Sequence, residues 1–281
     1  CLDDPQVDVR RESALALKAL DRLPKSGPSR SSALVALGRF DEALELGSIA
    51  ITPLLRTLAE EHPDYRAQAA TALAQCHPND AISDALCKAA SEQEAVVRAA
   101  AVLALGTLEI HLAEIIRSLD DTAESVSMAA ASVLARPSYD AGVRQQAYAN
   151  SAFLGRLRLT EALYSAERDT ETTELLRQCH QEDDEARVRA AAAAALVPAF
   201  TETLLDSVVQ DSDSIVRVAA ANALAMADCQ ASQDALIRAL GDRSINVRRA
   251  AIQALRARGI EPTGEHAALQ FALAEERFDT L

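Results

Sequence analysis

The stretches DSDSIVRVAAANALA (211–225) and GDRSINVRRAAIQALRA (241–257) decide the fold. In each, a polar turn leads into Val-Arg, followed by Ala three residues after the Arg, Ala six after it and Leu seven after it. The residues are Val216, Arg217, Ala220, Ala223 and Leu224 in the first, and Val247, Arg248, Ala251, Ala254 and Leu255 in the second. These positions fall on one stripe of a helix with about 3.6 residues per turn, so each copy predicts an amphipathic helix with a seam of small residues. Further full copies stand at Val188-Arg189 and Val97-Arg98. Weaker ones stand at Val9-Arg10, Tyr65-Arg66 and Val126-Ser127, and Arg30 keeps the later positions with Ser29 in place of the Val. From Arg66 onward the copies lie 32, 29, 62, 28 and 31 residues apart; 62 is twice 31, so one unit between Ser127 and Arg189 lacks the signature.

Each period also holds an upstream helix, expected at Ile51–Ala59, Ala81–Ala90, Ile110–Leu119, Thr172–Cys179, Thr201–Val209 and Ser232–Leu240. Between the two helices sits an acidic turn such as Asp211-Ser212-Asp213, whose Asp and Ser side chains suit the free N–H groups and positive end of the next helix. The unit is a helical hairpin of about thirty residues. Composition agrees: hydrophobic residues make up 49% of the chain but aromatics only 3%, without Trp. Such side chains let helices approach closely, whereas sheets favour β-branched and aromatic residues.

Acidic turn, Val-Arg, spaced alanines and Ala-Leu together resemble the HEAT-like repeats of the phycobilin-lyase type, over most of the chain. The resemblance implies an all-α fold, a right-handed α-solenoid (superhelix) of about eight HEAT-like helical hairpins. Residues 1–281 are expected to form a single array, with an irregular module at about 137–170. There Val143-Arg144 falls out of register, a helix is expected over Gln145–Leu154 ending at Gly155, and three of the four tyrosines gather: Tyr139, Tyr148 and Tyr164. At the ends, Val9-Arg10-Arg11 and Arg39-Phe40-Asp41 recur as Val247-Arg248-Arg249 and Arg277-Phe278-Asp279 at one offset of 238, and Pro24 recurs as Pro262. That echo reads as a long-period duplication. With no polar terminal cap in evidence, the chain is expected to be a segment of a longer array.

The formal net charge of −14 and a pI near 4.8 disfavour nucleic acid and anionic membrane surfaces as partners, because phosphate contacts need Lys or Arg. For the same reason the HEAT-like DNA glycosylases, which use a basic groove, share only architecture with this chain. No apolar run reaches the roughly 18–20 residues that cross a bilayer. Five scattered cysteines fit a reduced, cytoplasmic setting. Cys1 runs straight into a repeat without the spacer a lipid-modified cysteine would have.

Candidate sites are few. The repeated arginines Arg10, Arg66, Arg98, Arg189, Arg217 and Arg248 could line a groove, but an acidic residue precedes most copies, as Asp213 precedes Arg217 and Asp242 precedes Arg248. They are therefore read as a structural ladder of turn-to-helix hydrogen bonds. Cys76-His77 and Cys179-His180 lack the spacing of a metal site, and no metal or cofactor is expected. The iron-binding HEAT-like hydroxylases use His-Glu steps, and the chain has no His-Glu dipeptide. No G-x-S-x-G, P-loop or dinucleotide fingerprint is present, and the five histidines show no pattern that brings a base to a Cys or Ser.

What remains is a face of the Val-Arg helices. One residue after the Arg stand Arg11, Ala67, Ala99, Met128 and Val218, with Arg249 at the far end; five after it stand Leu15, Leu103, Asn222 and Gln253. In HEAT-like arrays the second helix lines the concave side, so these positions either form a groove with an apolar middle and Arg at each end, or pack against the next repeat. The expected function is a non-catalytic scaffold or adaptor binding another protein or peptide along that face. The phycobilin-lyase resemblance implies the alternative, a bilin lyase or isomerase acting on an antenna protein.

Overall fold

The sequence periodicity predicts helices alone, and a computed structural model of the protein, which describes residues 1–166, 169–196 and 200–260, is all-α among those residues. The chain divides into two units, 1–134 and 135–281. In the first unit α1 (Val7–Ala19), α2 (Gly27–Ala36) and the short α3 (Phe40–Leu44) lead through a 3-10 turn at Gly47–Ala50 into three hairpins. These are α4 (Ile51–Glu60) with α5 (Pro63–Leu73), α6 (Asp80–Ala89) with α7 (Ala95–Thr107), and α8 (Leu112–Arg117) with α9 (Glu124–Leu134), a second 3-10 turn at Ser118–Asp120 following α8. Among its described residues the second unit has four: α10 (Ala141–Asn150) with α11 (Phe153–Ser165), α12 (Thr170–Glu182) with α13 (Ala186–Ala195), α14 (Thr201–Gln210) with α15 (Ser214–Leu224), and α16 (Gln230–Ala239) with α17 (Ile245–Ala257).

Within each unit the second helices stack side by side, α5 on α7 on α9 and α11 on α13 on α15 on α17, while first helices such as α4 and α6, or α14 and α16, form the other layer. The small-residue seam makes this stacking possible. Val97, Ala101, Ala104 and Leu105 of α7 and Val216, Ala220, Ala223 and Leu224 of α15 are all buried. The approach is closest at Gly106, where a Cβ would overlap the side chain of Val133 on α9. Side-chain caps start several helices as the turn chemistry predicts: Asn79 accepts from Ile82 N (2.9 Å), Asp140 from Val143 N (2.8 Å) and Asp169 from Thr172 N.

The irregular stretch resolves into a complete hairpin. The helix expected over Gln145–Leu154 is two: α10 stops at Asn150, and α11 starts at Phe153 with Gly155 buried inside it. The break has a local cause. Ser151 and Ala152 are extended, and the Ser151 hydroxyl turns back to donate to the Ala147 carbonyl at 2.7 Å. The unit without a signature is thus centred on Arg156, where Gly155 replaces the Val and Leu159 the first Ala, while Ala162 and Leu163 keep the last two positions. Val143-Arg144 belongs to a first helix, and Arg144 is 1% exposed, donating to the Arg136 carbonyl (3.0 Å) and the Thr172 hydroxyl. Of the long-period echo, Pro262 and Arg277-Phe278-Asp279 lie outside the described residues.

Candidate functional site

Each repeated Arg sits at the start of a second helix, where the turn before it leaves carbonyls pointing back along the helix. Arg98 Nη1 donates to the carbonyls of Glu92 and Gln93 (both 2.7 Å), Arg189 to Asp183 (2.9 Å) and Asp184 (3.2 Å), and Arg217 to Asp211 (2.8 Å) and Ser212 (3.2 Å). Arg248 does the same to Asp242 (2.8 Å) and Arg243 (3.3 Å), and Arg10 to Asp4 (2.9 Å) and Pro5 (3.0 Å). One guanidinium edge therefore ties down the helix's own turn.

The other edge reaches the following repeat. Arg98 forks onto Asp121 (2.8 and 2.8 Å), Arg189 onto Asp211 (3.1 and 3.0 Å) and Arg217 onto Asp242 (2.7 and 3.0 Å). Two-point guanidinium–carboxylate pairing fixes geometry as well as charge. This corrects the expected partners. The Asp213 carboxylate does not pair with the Arg217 guanidinium but caps Ile215 N at 2.8 Å, its carbonyl accepting from Arg217 N at 3.2 Å, and Asp242 serves Arg248 through its carbonyl while its carboxylate serves Arg217. Each of these aspartates also closes its own turn, accepting from the N–H two residues on: Ala123, Asp213 and Ser244, at 2.8, 2.8 and 2.7 Å.

Burial alone would raise the Asp211 and Asp242 carboxyls, but Arg189, Arg217 and the turn amides outweigh it and hold both below the usual carboxylate range. At Asp121 the Arg98 hydrogen bond is the leading cause of the same downward shift. The arrangement departs from this form at Arg10 and Arg66. Arg10 divides between Glu60 (3.0 Å) and Glu61 (3.1 Å), and Arg66 donates to the Leu58 carbonyl (2.9 Å) and pairs with Glu92 and, at 3.6 Å, Glu94.

The arginine that the repeat pattern missed makes a rung of its own. Arg156 forks onto Asp183 (2.8 and 3.1 Å) and reaches Asp184 (2.8 Å); Asp183 also accepts from the Tyr148 hydroxyl and from Glu185 N (2.8 Å). Burial, reinforced by the carboxylate it bonds, drives the Tyr148 phenol upward. Burial also pushes the neighbouring Cys179 thiol up to about 12, which leaves it inert. Beside this rung, α10, α11 and α12 line an open cavity of about 400 Å³.

The face of the second helices is partly open. In the first unit Leu15 is 48% exposed, Leu103 39% and Met128 54%, and Ala67 and Ala99 are half-buried. In the second unit Asn222 and Gln253 are exposed, whereas Val218 and Arg249 are half-buried. Arg11 does not project freely: its guanidinium lies 4.5 Å from the centre of the Tyr65 ring and donates to the Tyr65 hydroxyl at 2.7 Å.

Folding does bring two histidines to serines. His111, in a left-handed conformation (φ 54°), hydrogen-bonds Ser83, and His180 Nε2 lies 2.7 Å from Ser207 Oγ. His180 is buried and its Nδ1 faces the Arg189 carbonyl at 2.9 Å, so the ring is held as a linker between α12, α13 and α14. Neither ring bonds an orienting carboxylate among the described residues. No group of three His, Cys, Asp or Glu is placed there to hold a metal ion, and no described helix is long and apolar enough to cross a membrane.

Comparison with known proteins places residues 201–275 in the family of HEAT repeats. No curated protein sequence matches the chain. Among solved structures, the complex of CpcE and CpcF of phycocyanin lyase from Nostoc sp. PCC7120 is similar at 19% identity, covering 81% of this chain and 94% of that one, with a TM-score of 0.36. Human deoxyhypusine hydroxylase in complex with glycerol is similar at 20% identity, covering 89% of this chain and 96% of that one, with a TM-score of 0.38. Residues 201–275 thus match HEAT repeats, and hairpins with the same arginine-to-turn linkage recur in both units.

Proposed function

We propose that the protein is a non-catalytic scaffold that binds another protein along the exposed face of its second helices. The observation that carries this reading is the row of apolar side chains left open there. In the first unit α7 and α9 stack directly, and Leu103 and Met128 stand exposed on these two neighbours while the seam residues beneath them are buried. Exposed apolar surface on a chain this acidic suits a partner helix or peptide that buries it. Five free thiols agree with a reducing, cytoplasmic setting.

Affinity capture with the intact protein tests the reading. Met128→Glu, Leu103→Glu and Val218→Glu, each checked for an unchanged helical spectrum, are expected to lose the captured partner; unchanged capture by folded variants overturns it. The bilin lyase or isomerase alternative is read separately. A bilin absorption band that shifts when protein is added would replace the scaffold with an enzyme.

A further inference from the structure

The cavity in the second unit has the roughly 300–1,000 Å³ size at which sites take a small ligand or a single side chain and measures about 400 Å³. Its walls are of two kinds. Tyr148 and Leu175 give it an apolar side; the amides of Gln145 and Gln178 and the carboxylates of Glu182 and Asp184 give it a polar one. Among the described residues the one cation in the lining, Arg156, is already committed to Asp183 and Asp184. Asp183 is likewise saturated by Arg156, Tyr148 and the Glu185 amide.

What is left over is acceptor capacity. Glu182 uses Oε2 for the Gln178 amide (3.0 Å) and Asp184 uses Oδ1 for Arg156, and their second oxygens meet no donor among the described residues. The lining as a whole sets three carboxylates against one guanidinium. A ligand that complements it has an apolar stem to lie along Tyr148 and Leu175, and a head that brings positive charge and several N–H donors to the mouth.

We propose that this cavity seats a cationic side chain, arginine or lysine, presented by a protein partner. The proposal rests on the protein-binding reading for its partner, but the cavity is formed by helices other than those that carry Leu103 and Met128, so the two can fail separately. A net charge of −14 on the chain favours a basic partner and raises its rate of encounter.

The test titrates isotopically labelled full-length protein with acetyl-argininamide, acetyl-lysinamide and the uncharged acetyl-norleucinamide, following backbone amide signals. The expected result is saturable shifts at 145–149 and 178–184 with the two cations and none with norleucinamide. The Glu182→Gln/Asp184→Asn double variant is expected to weaken binding at least tenfold; should its melting temperature fall, Glu182→Gln alone carries the comparison. Equal shifts with norleucinamide, cation shifts spread over the acidic surface, or undiminished binding by the folded variant each overturn the proposal. If the cavity titration fails while Met128→Glu still abolishes capture, the cavity falls and the scaffold stands; the reverse pattern sinks the scaffold alone.

Discussion

Arg217→Leu removes the cation from a deeply placed rung, where the Arg side chain is 3% exposed and that of Asp242 9%. Three acceptors lose a guanidinium donor at once, the carbonyls of Asp211 and Ser212 and the Asp242 carboxylate, of which the Ser212 carbonyl keeps Arg243 at 3.1 Å. Removing one member of a buried ion pair costs about 3–5 kcal/mol, because the other charge stays buried without compensation. The Asp242 carboxylate keeps its bond to Ser244 N, which places the expected loss near about 3 kcal/mol, the lower end of that range. In urea unfolding followed by circular dichroism, this should appear as a lower midpoint with the slope preserved.

The pH dependence separates this cause from simple loss of packing. In the wild type the folded Asp242 carboxyl is depressed, so its contribution is present above its unfolded value of about 3.9 and is lost as pH falls through the folded one. In Arg217→Leu burial is no longer outweighed by the guanidinium, and the folded carboxyl shifts upward. Protonation then stabilises the variant as pH falls toward about 4, and the gap to wild type narrows. A deficit below about 1 kcal/mol at pH 7 would place Asp242 in the range of an exposed pair and refute the reasoning; so would a deficit that stays constant from pH 7 to 4.

Two further outcomes follow from local geometry. Glu109 ends α7 in the left-handed region (φ 53°), with Ile110 N bonded back to the Leu105 carbonyl at 3.1 Å, the position Gly38 and Gly259 occupy after α2 and α17; Glu109→Gly is expected to raise stability by roughly 0.5–1 kcal/mol in the same urea assay. Burial holds the His180 imidazolium below its ordinary range, so the neutral ring's contribution is complete above about 6.5 and falls as pH drops toward the folded value; wild-type stability should rise between pH 5 and 7 more steeply than that of His180→Phe, and parallel curves would show that the ring is not the group responsible.

The repeat seam was readable because it is a demand of packing. Small residues at +3 and +6 let second helices approach closely, and Ala101, Ala104, Ala220 and Ala223 stand in the core as the period requires. The hairpin at Arg156 escaped the pattern because Gly155 and Leu159 replace two of the marker residues, while Ala162-Leu163, seven residues past the Arg, still carried the signal. The carboxylate partners were harder to read. Asp213, the acid nearest Arg217 in sequence, is engaged in capping, and the carboxylate that pairs lies 22 to 25 residues on in the rungs from Arg98, Arg189 and Arg217, a distance that depends on the length of the intervening helix. The cavity had no sequence signature, since its lining comes from three helices that only the fold brings together: Tyr148 from α10, Arg156 from α11, and Leu175 and Glu182 from α12.

The aspartate at each turn does more than hold its neighbours together. Asp211 and Asp242 offer the same atoms in the same roles, a carboxylate to the arginine before and a carbonyl to the arginine after. The segment from one aspartate to the next is therefore an interchangeable cassette. Excising residues 212–242 would join Arg189's own aspartate directly to the segment that carries Arg248, leaving no unmatched guanidinium or orphaned turn at the seam. An array built on such a joint can lengthen or shorten by whole hairpins without redesigning a contact, and genetic duplication or loss of one period leaves the linkage chemistry intact.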